Sequence, residues 1–206
     1  MDTQRKVKRL AFLEYLKRRE QKHQPITESD ETAKRENLLA HRCVIVENIA
    51  SALQVVTIPY AIIGGHAVTF HGRPRMTDDI DILVSPQDTQ TAVAQLRLQQ
   101  ITPLKTGGFG GVAPDGMLID VVAPNQRWVV PAVSQAIHTQ YGPMVSAPFL
   151  VITKMWDSRG AQDETDVLGV LKGMTDAELN VTRQLVRQFL PNDVEDLESL
   201  IAMRTY

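Results

Sequence analysis

Apolar and polar positions change period several times along the chain. Over residues 4–22, Leu10, Phe12, Leu13 and Leu16 form a short apolar stripe with charges on the other faces, which predicts a helix ended at Gln24-Pro25. Residues 27–31 are polar and acid-rich and open a second helix running to about Leu53, with Leu38, Leu39, Val44, Ile45 and Ile49 at three- and four-residue spacing. At Ile58-Pro59 the pattern shortens. Residues 60–63 are a continuous apolar run stopped by Gly64-Gly65, as in a buried strand ending in a tight turn, and residues 66–71 can form a short helix. Residues 79–84, Asp-Ile-Asp-Ile-Leu-Val, predict a second strand, and Ser85-Pro86 supplies an N-cap and first-turn proline for a helix over about 87–98.

Further on, residues 112–113 and 117–122 flank Asp115-Gly116, the signature of a hairpin, while the glycines from Gly107 to Gly111 read as a flexible turn. Residues 131–137 suit a short helix, and from Pro148 onward the pattern is helical. Thr175 with Glu178 is a capping box, and Asn192 with Glu195 a second candidate. Helices at both ends and strands between them predict an α+β (mixed α/β) fold: a small mixed sheet flanked by helices. The expected organisation is an N-terminal helical extension over 1–55, a core over 56–146 and a C-terminal helical region over 147–206.

Composition narrows the class. With 206 residues, 43% apolar and 22% charged, the chain can bury a core as one domain with a small attachment. No apolar run approaches the roughly 20 residues of a membrane span, and the charged N-terminus does not suit a signal peptide, so a cytoplasmic protein is expected. The single cysteine, Cys43, excludes an internal disulfide framework and a cysteine zinc site within one chain. The net charge of −2 hides an asymmetry. Residues 1–22 hold eight basic and three acidic residues, giving +5; the remaining fourteen basic and twenty-one acidic residues give −7. A basic arm on an acidic body points to a polyanionic partner, although a solvated helix face has the same composition.

The candidate chemistry lies in the acidic part. Asp79 and Asp81 are two residues apart on a strand, hence on one face, with Ile80, Ile82 and Val84 on the other. Two carboxylates so placed repel unless a cation lies between them, and oxygen ligands suit Mg²⁺ or Mn²⁺. Asp120 interrupts the apolar run 117–122; beside the pair it completes a three-carboxylate cluster able to hold two ions about 4 Å apart, and otherwise it caps a turn. Gly64 and Gly65 open a helix, where backbone N–H groups can approach phosphate. Arg73, Arg75 and Lys154 are each open to two readings, as neutralisers of a triphosphate or as ordinary ion-pair partners. Asp78 points away from the pair, Asp163 and Asp166 suit a bracing role, and Trp128 and Trp156 suit core or pocket-rim positions. His66 and His71 suit packing or capping, and no zinc site is assigned.

Gly64-Gly65-His66-Ala67, His71-Gly72-Arg73-Pro74-Arg75-Met76-Thr77, Asp79-Ile80-Asp81-Ile82-Leu83-Val84 and the later Asp120 together resemble the signature of the polymerase-β-like nucleotidyltransferase superfamily, closest to its minimal and resistance-type branches. The likeness extends through Lys154, Arg159, Asp163 and Asp166, covers about residues 58–172 and leaves out the N-terminal 55 or so. One departure is Gly65, where the wider superfamily often has serine. The resemblance implies metal-dependent transfer of a nucleoside monophosphate from an NTP, ATP among the candidates, with pyrophosphate leaving. It implies that Asp79 and Asp81 hold both metals, that Asp120 binds the second and accepts the acceptor hydroxyl's proton, that Gly64 and Gly65 cradle phosphates and that Lys154 reaches the triphosphate. It allows an antibiotic, a tRNA end or a tyrosine of a partner protein as acceptor, the last two occurring in toxin–antitoxin pairs. The +5 arm favours RNA or protein over a small cationic aminoglycoside. A degenerate, non-enzymatic binding module is the rival class, against which the three retained carboxylates speak.

Overall fold

The computed structural model describes residues 58–73, 77–157 and 160–204. Both helices expected before residue 55, Arg75 and Arg159 lie outside the described residues. The described chain runs β1 (Tyr60–Ile62), α1 (Gly64–Phe70), β2 (Asp79–Val84), α2 (Thr89–Gln95), β3 (Gln99–Pro103), β4 (Gly108–Val112), β5 (Leu118–Val122), α3 (Val129–Ser134), β6 (Ile137–Thr139), β7 (Gly142–Met144), α4 (Ala147–Trp156), α5 (Ala161–Gly173), α6 (Asp176–Phe189) and α7 (Val194–Met203). Seven helices and one seven-stranded mixed sheet make it an α+β fold, as the alternation of patterns predicts.

Strand order is β3-β4-β5-β2-β1-β7-β6. The centre is mixed: β2 runs parallel to β5 and antiparallel to β1, and β1 runs parallel to β7. Both margins are antiparallel ribbons, β3-β4-β5 on one side and β7-β6 on the other. The central strands are apolar on one face throughout, with Ile80, Ile82, Val84, Ile119 and Val121 buried. Fully burying one such isoleucine or valine is worth about 1.5–3 kcal/mol. Leu83, on the same side as Asp79 and Asp81, is also fully buried, so only the N-terminal half of β2 opens towards solvent on that side.

The helices cover the sheet and each other. Helix α3 packs on β1 and β2, and α2 on β4 and β5. Helix α1 packs on β2 and also against α4 and α5, so it joins the sheet to the C-terminal helices. Helix α4 is apolar along most of its length, with every residue from Ala147 to Ile152 buried, because α5 and α6 both lie against it. Helix α5 packs further against α7. Among the described residues no helix is long and apolar enough to cross a membrane.

Several local readings need correction. Of the glycines from Gly107 to Gly111, Gly107 alone belongs to a turn: Gly108–Val112 is strand β4, paired with β5 along its length. Small residues are required there because the neighbouring strand lies too close for side chains; a Cβ at Gly111 would sit 3.0 Å from the Gln99 carbonyl oxygen. The helix expected from residue 87 begins at Thr89, after a one-turn 3₁₀ segment, Pro86–Asp88, whose Pro86 carbonyl accepts from the Thr89 hydroxyl at 2.8 Å. The Asn192–Glu195 capping box does not form. Pro191–Asp193 is instead a 3₁₀ turn that makes Asp193 the residue before α7, with no side-chain cap. Strands β3, β6 and β7 carry no clear sequence pattern: β3 is an edge strand with mostly exposed side chains, and β6 and β7 are three residues each.

The Thr175–Glu178 capping box is present, with the Glu178 amide donating to Thr175 Oγ1 and the Thr175 amide to Glu178 Oε2. The Thr175 amide and hydroxyl, both donating to Glu178 Oε2, hold the Glu178 carboxyl below its ordinary range. Thr175→Ala should therefore cost about 1 kcal/mol in urea unfolding without altering ligand binding, since the cap lies at the start of α6.

Candidate active site

Strand β2 presents Asp79 and Asp81 on one face, and parallel pairing with β5 sets Asp120 directly beside Asp81. The two strands are in register from Asp79 opposite Leu118 to Leu83 opposite Val122, which fixes the match without freedom to slip. One carboxylate oxygen from each of Asp79, Asp81 and Asp120 lies within 4.8 Å of the other two, and all three residues are half-buried. Like charges this close repel by roughly 3 kcal/mol per pair at an effective dielectric near 20. A divalent cation among them reverses that sign, and an all-oxygen donor set fits Mg²⁺ or Mn²⁺. Asp78 is exposed on the edge of this arrangement.

Two of the three acids, Asp81 and Asp120, are accommodated by a glycine. A Cβ on Gly64 would coincide with the Asp81 carboxylate, and Gly64 also has φ +64°, a conformation that disfavours side chains. The Ile63 amide donates to the Asp81 carbonyl at 3.0 Å, which draws the start of α1 onto β2. Gly110, opposite Asp120 across β4 and β5, would place a Cβ 2.5 Å from Asp120 Oδ1. Gly65 would place one 2.6 Å from the Thr77 side chain, and Thr77 Oγ1 in turn donates to Asp79 Oδ1 at 2.8 Å. The close approach of Gly64 and Gly65 is therefore to the acids and to Thr77.

A second cluster joins α1 to the C-terminal helices. Helix α1 closes in a Schellman arrangement: the Arg73 amide donates to the Val68 carbonyl at 3.1 Å and the Gly72 amide to the Thr69 carbonyl at 3.3 Å. Gly72 takes φ +100° to do so. The turn sends Arg73 across Gly169 of α5, where a Cβ would collide with the arginine stem, and its guanidinium donates to Asp166 Oδ1. Lys154 of α4 donates to Asp166 Oδ2 at 3.0 Å and to Asp163 Oδ1 at 2.7 Å, and Gln162 adds a bond to Asp166 at 3.0 Å. Asp166 is fully buried and Asp163 nearly so. Buried carboxylates need such partners, because the desolvation of an unpaired one is costly. Lys154 and Arg73 thus sit in ion pairs that tie α1, α4 and α5 together.

His71, at the end of α1, donates from Nε2 to the Val145 carbonyl at 2.8 Å. Burial pushes its imidazole below the ordinary value of 6.5, partly offset by that bond and by Glu178. Trp128 and Trp156 meet edge to face, with ring centroids 5.6 Å apart. Four residues of the two clusters have no role in them on the sequence alone: Thr77, Gly110, Gln162 and Gly169. Thr77 was legible as a polar residue two before Asp79, and Gly169 as a lone glycine inside a helical pattern. Gly110 becomes distinct from its glycine neighbours only once the β4–β5 register is known.

No protein-family model matches the chain, and no curated protein matches it. Solved structures do. The antibiotic-resistance factor ANT(2'')-Ia aligns at 17% identity and a TM-score of 0.50, over 72% of this chain and 92% of that one. An antigenic nucleotidyltransferase-like protein from Paracoccidioides brasiliensis aligns at 17% identity and a TM-score of 0.44, over 76% and 92% of the two chains. JHP933 from Helicobacter pylori aligns at 12% identity and a TM-score of 0.45, over 81% and 80%. The chain has a nucleotidyltransferase-like fold.

Two substitutions separate the clusters. Gly110→Ala should displace the Asp120 carboxylate and weaken Mn²⁺ binding at the acid cluster while leaving the thermal midpoint within a few degrees, read by Mn²⁺ titration and differential scanning calorimetry side by side. Asp166→Ala should instead lower stability, by about 3 kcal/mol in urea unfolding, because it takes the carboxylate partner from Arg73 and leaves Lys154 with Asp163 alone.

Proposed function

We propose that the chain is a metal-dependent nucleotidyltransferase that moves a nucleoside monophosphate from an NTP, ATP among the candidates, to a hydroxyl of an RNA or protein acceptor. The observation that carries this reading is the register of β2 with β5, which brings Asp79, Asp81 and Asp120 within ligand distance of a shared cation. Bound there, two Mg²⁺ or Mn²⁺ ions would neutralise the triphosphate and stabilise the charge of phosphoryl transfer. Asp79 and Asp81 would hold both ions, and Asp120 would hold the second. Asp120 accepts the proton of the acceptor hydroxyl; the hydroxyl oxygen bonds to the α-phosphorus, and the bond from that phosphorus to the bridging oxygen breaks, releasing pyrophosphate. Gly64, Gly65, Arg75 and Lys154 form the nucleotide-binding set. Positioning and electrostatics supply most of the rate.

The acceptor class rests on the basic arm over residues 1–22, which a small cationic substrate would not require. A toxin–antitoxin role and a cytoplasmic setting follow from the same reading.

The test is labelling with α-³²P-NTP and, in parallel, γ-³²P-NTP in the presence of Mg²⁺ and a cell lysate. Label should enter RNA or protein from the α-position alone, disappear with EDTA and disappear in Asp81→Asn. Label entering an added aminoglycoside instead would move the acceptor to the antibiotic class. Absence of pyrophosphate release with every NTP and every lysate fraction would overturn the enzymatic reading. Removing residues 1–22 should weaken binding to RNA with a reduced salt slope, measured by fluorescence anisotropy over a KCl series.

A further inference from the structure

We infer that Thr77 is a positioning residue for the metal-binding carboxylate of Asp79, and that Gly65 is small in order to seat Thr77. The inference rests on the reading of Asp79 as a metal ligand.

Three features of Thr77 converge. It is buried, at 8% exposure, although it lies just before the half-open end of β2. Its hydroxyl donates to Asp79 Oδ1 at 2.8 Å, with the Asp79 carbonyl a distant 3.5 Å, so the carboxylate is the better acceptor. All three side-chain atoms, Cβ, Oγ1 and Cγ2, lie 2.6–2.9 Å from where a Cβ of Gly65 would be. A β-branched side chain already has few χ1 choices, and contact with the backbone of α1 removes the rest. The hydroxyl is therefore held in place and its proton aimed at Asp79.

This matters because Asp79 stands beside two other carboxylates. Their repulsion favours any rotamer that swings Asp79 away, and no glycine lies beneath it as Gly64 lies beneath Asp81. A fixed donor on Oδ1 opposes that swing with a neutral group, which leaves the negative charge of the cluster available to the cation. A hydrogen bond that orients a ligand in this way is worth about 10- to 100-fold in metal affinity.

The experiment is Mn²⁺ binding to the full-length protein without nucleotide, read by electron paramagnetic resonance of free Mn²⁺. Thr77→Val keeps the shape and removes the donor, and its Kd for Mn²⁺ should rise about tenfold or more. Thr77→Ser restores the donor and should stay within about threefold of the native protein. In turnover, Thr77→Val should raise the Mg²⁺ concentration for half-maximal rate while kcat at saturating Mg²⁺ changes much less. Gly65→Ala presses on Thr77 and should weaken Mn²⁺ binding in the same assay; if Gly65 served phosphate alone, Mn²⁺ affinity measured without nucleotide would not move. An unchanged Kd in Thr77→Val overturns the proposal. Should that variant fail to fold, an unchanged Kd in Gly65→Ala does so. A native protein that binds no Mn²⁺ overturns the metal-site reading itself, a distinct result, since the variants then have no affinity to lose.

Discussion

Three carboxylates of like charge have to be brought together before any cation arrives, and for two of them the structure makes room by removing β-carbons where the acids must go. Asp81 fills the space a side chain on Gly64 would take, and Asp120 leans over Gly110 on the next strand. The constraint is steric first and electrostatic second. Backbone pairing fixes where β2 and β5 lie, and the absent side chains at Gly64 and Gly110 leave room that Asp81 and Asp120 occupy. The half-burial of the cluster and the abrupt turn from β1 into α1 both follow from that choice.

The helices provide the second constraint. Helix α1 starts at the acids and ends at Arg73, so one seven-residue helix links the carboxylate cluster to the ion pairs of α4 and α5. Both ends are set by backbone geometry at a glycine, Gly64 at one and Gly72 at the other. Asp166 accepts from Arg73, Lys154 and Gln162, and this convergence keeps α1 from rotating relative to the C-terminal helices. The buried pairs contribute less to net stability than to the fixed relation between those elements.

The acidic strand, the double glycine and the helical C-terminal region were legible because they depend on local pattern: alternation in residues 79–84, an abrupt stop at Gly64-Gly65, and a capping box at Thr175. The sheet's margins were not. Strand β3 is an edge with polar side chains, and β6 and β7 are too short to show a period. Strand β4 was concealed by its glycines, which signal a turn in isolation and a close strand contact in place. Lys154 was legible as a cation near the site, but its pairing with Asp163 and Asp166 depends on how α4 and α5 pack, which no local pattern encodes. Thr77 gained meaning only when Gly65 and Asp79 were seen on either side of it.

The Arg73–Asp166 pair spans 93 positions of sequence. The carboxylate cluster closes over a much shorter stretch, by pairing of β2 with β5. Long-range closures of this kind carry a loop-entropy cost that slows folding. The Arg73–Asp166 brace closes the longer of the two loops, so ordering α1 against the C-terminal helices carries the greater loop-entropy cost.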